Sequence, residues 1–145
     1  MWTVKDMLDQ KGRDVWTIAP EVQVLDALKI MADKRIGALV VVSGERVVGI
    51  FSERDYARKV VLKERTSLNT PVRDVMTSEV FCVRKETTTE ECMALMTGKR
   101  IRHLPVIEDN RLGGLISIGD VVKSIISDQK ITIGHLQDYI MGKYI

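Results

Sequence analysis

Two kinds of apolar pattern alternate along the chain. Ala38 to Val42 and Leu104 to Ile107 are unbroken apolar runs of strand length. A run without alternation predicts a strand covered on both faces. Each run leads into a polar turn, Ser43-Gly44-Glu45-Arg46 or Glu108-Asp109-Asn110-Arg111, and then into a second run, Val47 to Phe51 or Leu112 to Ile116. That order predicts two hairpins. Ahead of the first hairpin, Val24, Ala27, Leu28, Ile30 and Met31 recur at helical spacing, and Cys92, Met93, Leu95 and Met96 match the last four ahead of the second. Each copy is completed by a short helix or turn (Val4 to Leu8, Val72 to Met76) and a short strand (Val15 to Ile18, Val80 to Val83). A closing helix follows, from Glu53 to about Leu62 or Ile118 to about Ser127.

The two halves are copies of each other. A shift of 65 residues lays Val15-Trp16-Thr17-Ile18 on Val80-Phe81-Cys82-Val83, Lys34-Arg35-Ile36 on Lys99-Arg100-Ile101, Gly49 on Gly114, Ser52 on Ser117 and Asp55 on Asp120. Val4 to Leu8 matches Val72 to Met76 at a shift of 68, so the first copy carries three extra residues between Asp9 and Asp14. The polar stretch Thr66 to Pro71 marks the boundary. The expected organisation is repeat 1 over 1–68, repeat 2 over 69–128, and a tail over 129–145 that is helical from about Ile131 to Met141. One copy alone would bury little core. The expected fold is therefore α/β (α+β), two β-α-β-β-α repeats packed sheet to sheet around a pseudo-twofold axis with two related clefts.

Composition narrows the functions. The chain has 22 basic and 20 acidic residues and a formal net charge of +2, too balanced for bulk attraction to nucleic acid. Aromatics are 5% of the 145 residues, few for base stacking. No apolar run reaches membrane-spanning length, and residues Met1 to Asp6 lack the features of a signal or transit peptide, so a cytoplasmic location is expected. Cys82 and Cys92 lack metal-ligand spacing and are expected to be buried, reduced thiols. Met31, Met93 and Met96 are expected in the core.

The chemistry is concentrated where each return strand becomes a helix. Gly49-Ile-Phe-Ser-Glu-Arg-Asp55 and Gly114-Leu-Ile-Ser-Ile-Gly-Asp120 each place a serine before a helix and an aspartate three residues later. Such a pair is a capping box. A helix start also offers unpaired N–H groups to an anion, and the aspartate can accept two hydrogen bonds at once, as a ribose diol would offer. Two copies in register favour the site.

The tandem units, with Arg100-Ile-Arg-His-Leu-Pro-Val106 before the second hairpin and Gly-x-x-Ser-x-x-Asp after each, resemble a cystathionine-β-synthase (CBS) domain pair, a Bateman module. Phe51 to Tyr56 and Ser117 to Val122 look most like small stand-alone CBS-pair proteins. The resemblance, from Val4 to about Ser127, implies an adenosine-containing ligand: AMP, ADP or ATP, or in some members NAD(H) or S-adenosylmethionine. It also implies that Asp55 and Asp120 accept from ribose, that Ser52 and Ser117 bind phosphate or ribose, and that Arg54 binds phosphate. It implies an adenine pocket of Val83, Arg84, Lys85 and Ile101 for the Asp55 cleft, and of Ile18, Ala19, Pro20, Ile36 and Gly37 for the Asp120 cleft. Arg102 and His103 fall where the family points basic groups at phosphate. With Arg54, Arg102 and His103 near Asp55 and no equivalent cations in the other repeat, Asp55 is expected to be the tighter phosphate site, while the Asp120 cleft holds only an adenosine portion, borrows a cation across the axis, or stays empty.

The reading is thus a non-catalytic regulatory module with no obligatory cofactor. Its expected partners are an adenine nucleotide, a second copy in a homodimer, and a regulated protein the sequence does not name, with no nucleic acid or membrane. The alternatives are an NAD(H) or S-adenosylmethionine sensor and a purely structural oligomerisation module. An enzyme is disfavoured by the lack of a nucleophile–base pair, metal cluster or Gly-rich phosphate loop.

Overall fold

The computed structural model describes residues 1–128; the expected tail helix lies outside the described residues. The elements are α1 (Val4–Lys11), β1 (Thr17–Ile18), α2 (Val24–Lys34), β2 (Ala38–Ser43), β3 (Arg46–Ser52), α3 (Glu53–Asp55), α4 (Thr89–Lys99), β4 (His103–Glu108), β5 (Arg111–Ser117) and α5 (Ile118–Asp128). A π-helical turn, Tyr56–Val61, continues α3, and a 3₁₀ turn, Val72–Asp74, opens the second half.

In repeat 1, β1 runs parallel to β2, and β2 pairs antiparallel with β3, with Ala38 opposite Ser52. In repeat 2, β4 and β5 form the same hairpin, with His103 opposite Ser117. Both hairpins slip register at the same place, between Val41 and Val42 and between Val106 and Ile107. The first four residues of β2 are all buried, as an unbroken apolar run requires, while α2 buries Val24, Ala27 and Met31. The return strands β3 and β5 meet where the two halves come together.

Three local expectations are corrected. The strand expected at Val15 to Ile18 is reduced to Thr17–Ile18. Its counterpart at Val80 to Val83 shrinks to one bridge, Val83 to Val106, held by Val83 N–H on the Pro105 carbonyl and Ile107 N–H on the Val83 carbonyl, both 2.9 Å. The first closing helix is α-helical for one turn and then widens, so that Leu62 N–H reaches back five residues to Ala57 O at 3.1 Å. Cys82 is exposed, and only Cys92 is in the core.

The leading segments cross over. Val4, Met7 and Leu8 of α1 join the core of Val83, Cys92, Met96, Leu104, Val106, Ile116 and Val121. Val72 and Val75 join that of Ile18, Val24, Ala27, Met31, Leu39, Val41, Phe51 and Val60. Backbone bonds repeat the exchange in both directions: Val4 N–H to Thr87 O (2.8 Å) mirrors Val72 N–H to Val22 O (2.8 Å), and Lys5 to Lys85 mirrors Arg73 to Pro20. The return strands admit these segments through a glycine each. A Cβ on Gly49 would stand 2.5 Å from Met76 Sδ, and one on Gly114 2.7 Å from a Leu8 methyl. Each half is therefore roofed by the other.

Candidate functional site

Both motifs sit where a return strand ends. Ser52 Oγ accepts from Asp55 N–H (3.2 Å), and Asp55 Oδ2 accepts from Ser52 N–H and Oγ–H, both 3.0 Å. Ser117 and Asp120 repeat the arrangement at 3.3, 2.8 and 3.0 Å. These are reciprocal capping boxes, so each aspartate is fixed against its own helix start.

The carboxylates differ in what else reaches them. Asp55 has a side chain only 7% exposed; its Oδ1 accepts from the Thr77 hydroxyl at 3.0 Å and pairs with Lys59 Nζ at 3.1 Å. Thr77 also exchanges both backbone hydrogen bonds with Ile50 of β3, at 2.9 and 2.8 Å. Asp120, 16% exposed, pairs through Oδ2 with Lys11 Nζ at 2.7 Å, and Lys11 also donates to Leu115 O at 2.9 Å. Burial raises the Asp120 pKa, but Lys11 and the Ser117 donors outweigh it and hold the carboxyl below its ordinary value.

A cavity of about 250 Å³ opens beside Asp55. Of the residues picked from sequence for this cleft, it brings together Ser52, Arg54, Asp55, Ile101, Arg102 and His103; Gly37, expected in the Asp120 cleft, lines this cavity instead, and Ile50, Glu53, Thr77 and Arg100 complete it. Three guanidinium side chains against two carboxylates leave its lining net positive. Arg54 is anchored across the repeat boundary, with Nη1 on the Arg100 carbonyl at 2.9 Å. His103 is half-buried, and burial holds its imidazole below the ordinary 6.5, with Lys11 and Arg102 pushing the same way against the opposing pull of Asp120. It thus lines the Asp55 cavity while lying in the field of the Lys11–Asp120 pair.

The other picked residues stand elsewhere. Val83 and Ile18 are core residues, and Ala19 is exposed. Arg84 and Lys85 line a separate hollow of about 460 Å³ beside the β4–β5 turn. Pro20 offers its carbonyl to Arg73 N–H. Ile36 packs against the repeat 1 core and, with Gly37 and Glu53, lines a further hollow.

Sequence reasoning missed Thr77, Arg100, Lys59 and Lys11. Lys59 was within reach, because it lies four residues after Asp55 on one helical face. Thr77 and Lys11 were not, because each arrives on a segment that crosses to the opposite repeat. Among the described residues no group of three His, Cys, Asp or Glu side chains could hold a metal, and no helix is long and apolar enough to cross a membrane. Burial, helped by Glu91, pushes the Cys92 thiol up to about 11, and burial also raises Cys82; neither is a poised nucleophile.

A family model for the CBS domain matches residues 4–62 and again 72–127. The chain belongs to the CBS domain family. It is 40% identical over 152 residues to CBSX3, a mitochondrial CBS domain-containing protein of Arabidopsis thaliana, covering 98% of this chain and 73% of the relative. A protein with CBS domains from Burkholderia ambifaria superposes with a TM-score of 0.85 at 54% identity, covering 90% of this chain and 98% of that one. CBSX2, solved in complex with AMP, shares the fold at a TM-score of 0.71 and 24% identity, covering 88% and 98%. In this CBS pair the matched segments coincide with the two halves that exchange α1 and the Val72–Met76 segment.

Proposed function

We propose that this CBS pair is a non-catalytic regulatory module that takes an adenine nucleotide in the Asp55 cavity and passes occupancy to a partner protein. The observation that carries the reading is that one cavity is lined by Asp55, held in its capping box, together with Arg54, Arg100, Arg102 and His103. The carboxylate suits a ribose diol and the guanidiniums suit phosphate, where charge-assisted bonds are roughly twice as strong as neutral ones. Apolar Ile50 and Ile101 line the same space and suit a base. Entry of ribose displaces Lys59, whose half-exposed side chain can turn its ammonium to water. CBSX2, with AMP bound, supports the idea that a fold of this kind can hold such a ligand. Ser117 and Asp120 form a second candidate position on the same logic.

A second reading is favoured by one observation: Asp55 already accepts from four donors and is nearly buried, as a purely structural cap would be. Isothermal titration separates the two. AMP, ADP, ATP, NAD⁺, NADH and S-adenosylmethionine are titrated into the wild type and Arg102→Ala. Binding of a phosphate-bearing adenosine that weakens about tenfold in the variant supports the sensor. No heat with any of the six leaves the structural module.

Apolar side chains exposed on the closing helices, Val61 and Leu62 on one and Ile118 and Val122 on the other, support a homodimer. Sedimentation equilibrium returning a monomer would overturn that part. The cytoplasmic location is tested by imaging a tagged chain, since CBSX3 is mitochondrial; an organellar signal would overturn it.

A further inference from the structure

Gly37 and Glu53 belong to two hollows at once. One is the Asp55 cavity of about 250 Å³, and the other is a neighbouring hollow of about 360 Å³. The neighbour is lined by Leu28, Met31, Ala32 and Ile36, with Arg35 as its basic group. Small-molecule sites run to roughly 300–1,000 Å³. The Asp55 cavity falls below that range alone and inside it when joined to its neighbour.

The wall the two share is poor in side chains. Gly37 has none, and a Cβ placed there would meet nothing nearer than Glu53 Oε1 at 3.8 Å. The Glu53 carboxylate thus lies beside bare backbone. Among the described residues it makes no hydrogen bond or ion pair, so it is free to turn. The backbone beneath is fixed: Glu53 N–H donates to Gly37 O at 3.1 Å, as Ile118 N–H donates to Arg102 O at 2.9 Å. With the backbone matched, the duplication differs in the side chains. Arg102 stands where the first half has Gly37, and Ile118 where it has Glu53. A long side chain at position 37 would stand in the junction; glycine leaves it open.

The two hollows differ in chemistry. The first is net positive and suits phosphate, whereas the second offers apolar side chains and, at the shared edge, the unpaired carboxylate of Glu53. A group suited to the second is planar, with apolar faces and a positive charge for Glu53. We propose that the neighbouring hollow is a second subsite of the Asp55 cavity, which takes a planar cationic group joined through phosphate to the adenine nucleotide. The ligand is then a dinucleotide rather than a mononucleotide. The inference deepens the adenylate reading above and rests on it for the first half of the ligand. Arg54, Arg100 and Arg102 offset the Glu53 charge where the diphosphate passes.

The test is calorimetric titration of AMP and of NAD⁺, which carries a cationic nicotinamide ring, into the full chain and into Ala32→Gln. Ala32 is exposed on α2, so the longer side chain enters the hollow without disturbing the core. The expected result is NAD⁺ binding about tenfold or more tighter than AMP in the wild type. Ala32→Gln should remove most of that advantage and leave AMP binding where it was. AMP binding as tightly as NAD⁺ in the wild type overturns the subsite and leaves the adenylate reading standing. An advantage for NAD⁺ that survives Ala32→Gln also overturns it, because the second group then lies elsewhere. If the wild type binds NAD⁺ alone and Ala32→Gln abolishes that binding, the subsite stands and the mononucleotide form of the reading fails. If neither ligand binds, both fall together.

Discussion

Replacing Asp55 with alanine should destabilise the ligand-free protein well beyond the equivalent change at Asp120, although the two motifs are copies. Asp55 is 5% exposed and accepts from Ser52 N–H, Ser52 Oγ–H, the Thr77 hydroxyl and Lys59. Asp55→Ala keeps the Ser52 N-cap but removes the reciprocal half of the capping box, leaving the Ser52 N–H without its acceptor at about 1 kcal/mol. Leaving the partly buried Thr77 hydroxyl without its acceptor adds about 1–3 kcal/mol, while half-exposed Lys59 turns to water. The total expected for Asp55→Ala is about 2–4 kcal/mol, lowering Tm by roughly 2–4 °C for each kcal/mol at this chain length. Asp120 is more open, and Lys11 can return to water when its partner is lost, so the Ser117 N–H left without its acceptor is the main loss and Asp120→Ala should cost about 1 kcal/mol. Urea unfolding followed by circular dichroism, with the slope m checked for constancy, reads both values. Equal losses would refute the reasoning, because they would mean that the Thr77 tie and the burial of Asp55 contribute nothing. A further consequence is practical: a thermal-shift screen on Asp55→Ala starts from a lower baseline, so loss of binding there must be read from titration.

Other substitutions probe the packing and the cavity. Gly49→Ala pushes a methyl to within 2.5 Å of Met76 Sδ and 3.0 Å of the Thr77 carbonyl, and should cost about 1–3 kcal/mol by urea unfolding; Gly98→Ala, with nothing within 4 Å near the end of α4, should stabilise by about 0.5–1 kcal/mol. A neutral result at Gly49 would contradict the crossed packing. The His103 imidazole, held below 6.5 chiefly by burial, binds its proton less readily when folded than when unfolded. Stability should therefore fall as pH drops from 6.5 through that depressed value, and His103→Gln should flatten this part of the unfolding profile. Asp120 has the usual carboxylate sign: its contribution is present above the unfolded value of 3.8 and is lost only as pH falls below it, so the two windows are separable.

Most of the fold was legible because apolar runs and repeats report burial directly. The doubly covered β2 and β4, the apolar faces of α2 and α4, and the hairpin turns all follow from such runs. The crossing of the leading segments was not legible. Periodicity says which face of Val4 to Leu8 is apolar but not which half it covers, and the pairing depends on Gly49 and Gly114 making room for Met76 and Leu8. Val80 to Val83 carries strand-forming residues, yet only Val83 meets a partner strand, so propensity overstated the element. At the site, Ser52 and Asp55 could be picked by register, Arg54, Ile101, Arg102 and His103 were implied by the resemblance to CBS pairs, and all six line one cavity. Thr77 and Lys11 could not, because their relation to the aspartates is made by the crossover and not by spacing.

The duplication is closest where it builds the scaffold and loosest where it meets the carboxylates. Trp16 lies under Lys34 at 4.3 Å as Phe81 lies under Lys99 at 5.1 Å, and Arg35 and Arg100 end their helices with φ of 55° and 54°. These features end the second helix of each half in the same way and tie each helix end to the segment that leads into it. The segments that cross over are fitted to the opposite half at Leu8 and Met76, which meet Gly114 and Gly49. Their far ends are free to differ, and they do: one ends in a hydroxyl on Asp55, the other in an ammonium on Asp120. Two sites made from one repeat can thus diverge in ligand response without any change to the motif that defines them. Exchanging the two ends should then exchange the behaviour of the clefts more readily than any substitution within Ser-x-x-Asp, where the serine and the aspartate also hold the helix together.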